Sequence, residues 1–288
     1  MQSFLTALFL TMVLSLFSLA LQGALRGFFE RRPAAVFAVP LALTALFAGV
    51  LGASGGWSAA FVLLVAAYTF VPTALVYARR PWFDLTAILL LWMPIEFAAG
   101  RQLIPRAVWG VANIAARGTA VTLALALFLL FRNLPGMKYN LPRKWIDVPY
   151  AALGFVALAP VLAALGQRLG FLGPFLGLAR FHPGGFGLLW LRTALGVALP
   201  EELLFRALIQ NWLMQRFGFS VRTLAVAALI FGASHLDNPP GPLPNWRYMI
   251  LATCAGFVFG GVFWKSSSIW SSAGLHALVN ATRHVFFG

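Results

Sequence analysis

The sequence predicts an all-α fold, a polytopic transmembrane helical bundle of about eight to ten membrane segments. Three observations carry this. Of 288 residues, 61% are hydrophobic and 10% charged, against soluble averages of about 45–50% apolar and 25% charged, and mean hydropathy is +0.85. Apolar runs of about 17–25 residues, the length that crosses hydrocarbon as a helix, recur along the whole chain. Runs such as Leu123 to Phe131 are apolar on both faces, whereas a transmembrane barrel needs alternation.

Taken in order, residues 4–25 form the first apolar run. It has no basic leader and is longer than the usual signal core of about 7–15 residues, so it reads as a retained span. Residues 34–51, 57–77 and 85–99 come next; the last of these reads as short, tilted or re-entrant, with Glu96 near its end within reach of the interface. Residues 111–131 complete the N-terminal half. A basic connector, 132–147, holds Lys138, Arg143 and Lys144. It separates residues 1–147, transmembrane helices of unassigned role, from residues 148–288, the expected catalytic core. There the spans are 148–165, 187–214, 221–236, 248–264 and 269–286. The Gly- and Pro-rich stretch 170–185 reads as an interfacial loop, and its His182 is assigned no role. Gly256 and Gly260 have the small-xxx-small spacing that permits close helix approach.

The formal net charge is +14. Its basic residues cluster between spans and no soluble basic domain exists to hold a duplex, so nucleic acid is excluded as a partner and the lipid bilayer is favoured. The distribution of basic loops favours an external N-terminus. Composition rich in Ala, Leu and Arg suits an integral protein of a prokaryotic cytoplasmic (inner) membrane. The single cysteine, Cys254, excludes an intramolecular disulfide and a Cys-rich metal site.

Two of the seven acidic residues, Glu201 and Glu202, stand side by side in an apolar stretch. A carboxylate at the bilayer centre costs roughly 2.5–3.5 kcal/mol on insertion scales. On a helix, Glu202 and Arg206 are i and i+4 and can neutralise each other. Glu201 points about 100° away and is left for another partner. A turn centred on Gly218 sets Glu201 and His235 at matched depth, where they can hold a water and the carboxylate can take its proton. Phe231, one turn before His235, walls the site. His276 and Asn280 are again i and i+4, and both can donate to a developing oxyanion. Singly, an intramembrane His or Asn fits helix–helix hydrogen bonding equally well. Together in the last third of the chain they point to chemistry.

Glu-Glu-x-x-x-Arg at 201–206, Phe-x-x-x-His at 231–235 and His-x-x-x-Asn at 276–280 resemble the three motifs of the CPBP family (CAAX protease and bacteriocin-processing, or Abi). Its members include the type II CAAX prenyl endopeptidases. The resemblance covers roughly residues 187–286. It implies an intramembrane endopeptidase acting on a membrane-associated peptide or protein tail. Glu201 would activate water with help from His235, His276 and Asn280 would stabilise the oxyanion, and Glu202, Arg206 and Phe231 would organise the site.

Three other readings compete. Glu201, His235 and His276 are ordinary zinc ligands, which gives a zinc-dependent form of the same protease. The sequence lacks the His-Glu-x-x-His motif and a Glu/His water site needs no metal, so no metal cofactor is favoured. Intramembrane Glu and His also mark transporters and proton relays, but this chain shows no inverted repeat. A non-catalytic scaffold would use the polar cluster only for packing.

Overall fold

The computed structural model describes residues 1–239 and 242–287, and every regular element among them is helical. The chain divides into two units, Met1–Pro135 and Gly136–Gly288.

The first unit opens with a bent pair where a single span is expected. Helices α1 (Gln2–Ser15) and α2 (Leu19–Arg31) meet at 86°. The break is chemical. The Ser18 hydroxyl accepts from Leu21 N at 3.3 Å and so caps a new helix. Gln22 Nε2 donates to the Leu16 carbonyl at 2.7 Å, satisfying a group the interrupted helix leaves bare. Next come α3 (Ala38–Ala53), α4 (Ala59–Tyr77), capped by Ser58, and α5 (Pro81–Glu96), which starts on a proline. Helix α6 (Trp109–Ala124) runs on as a π-helix over Leu125–Phe131, where every side chain is buried and apolar. Arg132 comes directly after it and pairs with Asp84 at 3.1 Å.

The second unit contains α7 (Asp147–Arg168), α8 (Pro183–Thr193), α9 (Leu199–Glu202), α10 (Asn211–Phe217), α11 (Val221–Ala233), α12 (Trp246–Lys265) and α13 (Ile269–Phe286). Helices α8, α9 and α10 are one unbroken run, 183–217, joined by π-helical segments Ala194–Ala198 and Leu203–Gln210. Part of the expected loop 170–185 is therefore already helical from Pro183, with His182 as the residue that precedes the first turn. Gly218, at φ +94°, ends the run in a conformation that favours glycine, and Ser220 caps α11. Ahead of α7, Lys138 Nζ donates to the carbonyls of Phe263, Trp264 and Ser266 at 2.8–3.0 Å, closing the end of α12. Burial holds that ammonium below the ordinary lysine range, while Asp147 opposes the shift.

Among the described residues, five helices are long and apolar enough to cross a membrane: Pro33–Ala53, Ala59–Tyr77, Arg106–Phe131, Asp147–Arg168 and Trp246–Lys265. The bent pair makes a sixth if it counts as one span. This is fewer than the eight to ten segments expected. Helix α5 has 16 residues and α11 has 13. The run 183–217 carries Arg192, Glu201, Glu202, Arg206 and Arg216, and α13 carries His276, Asn280, Arg283 and His284. Much of the shortfall thus falls on helices that bear the polar motifs.

Candidate active site

The adjacent glutamates occupy α9, a four-residue α-helical stretch between the two π-helical segments. A π turn widens the helix and commonly marks a functional position. Pro200, which has no N–H to give, falls just after the first of them.

Glu202 and Arg206 are fully buried and face each other, with Oε2 and Nε 3.1 Å apart. The approach is off-line for a hydrogen bond, so this is an ion pair by distance. The Arg206 guanidinium carbon lies 4.5 Å from the Phe231 ring centroid and 5.8 Å from that of Phe259. Those aromatic faces support a cation in a dry setting.

The other Glu202 oxygen, Oε1, is 3.1 Å from His276 Nδ1. Helical spacing pairs Glu202 with Arg206 alone; in the fold it also holds a histidine from α13. His276 is stacked on Phe259 at 4.7 Å and 21°, which fixes its ring plane. Its far nitrogen, Nε2, stands 3.8 Å from Glu201 Oε2. That gap is too long for a hydrogen bond and suits a shared water. The Glu201 side chain is 33% exposed, yet its Oε2 is shut in and has no hydrogen-bond partner among the described residues.

His235 lies just beyond the end of α11, where helix carbonyls lack partners. Its Nδ1–H donates to the Phe231 carbonyl at 2.9 Å, so in the neutral ring Nε2 is the nitrogen with a free lone pair. The ring packs against Phe231 at 4.8 Å and Tyr248 at 4.5 Å. Phe231 itself touches His235, His276 and Arg206, so it is the hub of the cluster as well as a wall.

Helices α11 and α12 approach closely at glycines. A Cβ on Gly256 would stand 2.8 Å from Phe231 Cδ1, and one on Gly232 would meet Thr253 Oγ1 at 1.9 Å and the Met249 carbonyl at 2.7 Å.

His235, His276 and Asn280 line an open pocket of about 700 Å³, walled by apolar residues of α7 and α12. Asn280, Tyr248 and Arg283 also line a second pocket of about 750 Å³. Tyr248, Phe259 and Arg283 are site residues that sequence reasoning does not pick out. Arg283 had a signal, since it falls seven residues after His276 on the same face of α13. Tyr248 and Phe259 had none, because nothing in α12 pairs with them at helical spacing. Among the described residues no three His, Cys, Asp or Glu side chains form a metal-holding group.

No curated protein and no solved structure matches the chain. Residues 183–282 match the family model described as Type II CAAX prenyl endopeptidase Rce1-like. That segment takes in all three motifs and leaves residues 1–182 outside. Residues 183–282 are thus similar to the type II CAAX prenyl endopeptidases, in a chain with helices long and apolar enough to cross a membrane, and a CAAX-type intramembrane protease is the activity class that this likeness supports.

Proposed function

We propose that the protein hydrolyses a peptide bond in a membrane-associated peptide or protein tail by metal-independent water activation. The observation that carries this is the unequal engagement of the two glutamates. Glu202 is committed to Arg206 and His276, while Glu201 keeps an oxygen without a hydrogen bond beside His276. A carboxylate in that state is a general base.

Glu201 takes one proton from a water whose other hydrogen is accepted by His235 Nε2. The hydroxide oxygen attacks the carbonyl carbon. His276, in its imidazolium form with Glu202 offsetting the charge, donates from Nε2 to the oxyanion, and Asn280 donates from its amide. The C–N bond then breaks and Glu201 returns its proton to the departing amine. The apolar pocket beside the histidines suits an apolar side chain next to the cleaved bond.

The test compares the membrane proteome of cells carrying the native protein with that of cells carrying Glu201→Gln. New chain termini that depend on Glu201 support the proposal. Identical termini in both strains, with both proteins present and folded, overturn it.

A further inference from the structure

Two pockets in the first unit share a wall. One, about 840 Å³, is apolar and is lined by Phe47, Val65, Tyr68, Val71 and Leu90 among others. The second, about 1010 Å³, is lined by Glu96, Arg101, Trp109, Asn113 and Arg117. Phe61, Pro94, Ile95, Ala99 and Ala116 line both, so the two adjoin along these residues, one apolar and the other cationic.

The cationic end holds donors in need of an acceptor. Arg117 sits about 16 Å along the span Arg106–Phe131, at 1.5 Å per residue. It is exposed on the helix surface, and its Nε donates to Asn113 Oδ1 at 3.2 Å. The ion pairs Arg132–Asp84 and Arg206–Glu202 do not include Arg117. An arginine at such depth is retained with an anionic partner or a path to water. The Arg101 guanidinium carbon lies 3.5 Å from the Trp109 ring centroid. The stacking holds one face of the group and leaves its N–H edge available. Trp109 Nε1 is buried without an acceptor among the described residues. The acid in this pocket, Glu96, accepts from Trp92 Nε1 at 3.1 Å. Two arginines against one carboxylate favour an anion.

We propose that these adjoining pockets together bind an anionic phospholipid, with an acyl chain in the apolar end and the phosphate against Arg101, Arg117 and the Trp109 indole. Basic pockets between transmembrane helices select anionic headgroups by this charge pairing, and the adjoining apolar volume adds a requirement for a chain. The site lies outside residues 183–282, so it adds a ligand that the family match does not assign.

Native mass spectrometry of the full-length protein in a neutral detergent tests this, with phosphatidylglycerol, phosphatidylcholine and inorganic phosphate titrated in turn. The expected result is about a tenfold preference for phosphatidylglycerol over phosphatidylcholine. The double variant R101Q/R117Q should lose that preference while its helical circular dichroism is unchanged. Val71→Trp, which fills the apolar end and leaves both arginines in place, should weaken retention of both lipids. Equal binding of the two lipids by the native protein overturns the proposal, as does a preference that survives both changes. Inorganic phosphate binding as tightly as phosphatidylglycerol also overturns it, because the apolar end would then contribute nothing.

Discussion

At the scale of single residues, the two glutamates divide the work unequally, and the division predicts two different losses. Glu201→Gln should lower turnover by about 10²- to 10⁴-fold, the usual contribution of a positioned base, with thermal unfolding unchanged because the native side chain makes no hydrogen bond through Oε2. A peptide-cleavage assay beside a melting curve checks this. Glu202→Gln should act on both readouts. It strips the charge from a buried pair with Arg206, a change that costs about 3–5 kcal/mol when one partner is removed, and it also weakens the grip on His276. A melting temperature that stays at the native value would contradict that role. The Glu202–Arg206 pair was legible from i, i+4 spacing alone. The Glu202–His276 bond was not, because it joins positions 74 residues apart through the packing of α9 against α13.

At the scale of elements, the α11–α12 seam sets the site. The small-residue spacing at Gly256 and Gly260 was legible as a close approach. The purpose of that approach was hidden, since Gly232, Phe231 and Gly256 come from two helices and meet only when packed. Gly232→Ala places a Cβ against the Met249 backbone carbonyl, which cannot swing aside. It should cost about 1–3 kcal/mol, the range for overpacked cores, seen as a lower melting temperature. Gly256→Ala meets the Phe231 ring instead. That ring can shift, and because it touches His235 and His276 a shift disturbs both, so activity should fall by a larger factor than stability does. Parallel measurement of cleavage and unfolding for the two variants separates these outcomes; equal effects in both would contradict the placement of Phe231.

At the scale of the whole molecule, the fold class was plain in the composition, and the last helix, Ile269–Phe286, coincides with the run expected from sequence. The bend in the first span was not legible, because Ser18, Gln22 and the bare Leu16 carbonyl act together and an apolar average is blind to a cap. Five or six helices among the described residues pass on length and apolar composition, and most of the other expected segments are helices whose polar residues form the candidate site. Metal-independent hydrolysis predicts that cleavage by the purified protein persists in strong chelator; activity lost on chelation and restored by zinc would reverse that reading. The π-helical segments on either side of α9 bear on the chain as a whole. A turn closed by i to i+5 bonds holds about one more residue than an α turn, so each segment shifts the angular phase of the helix beyond it. The azimuth of Glu201 and Glu202 is thereby uncoupled from both ends of the run 183–217. Helix α8 can keep one face toward its neighbours and α10 another, while the glutamates between them hold a bearing that an unbroken α-helix of the same length would not give.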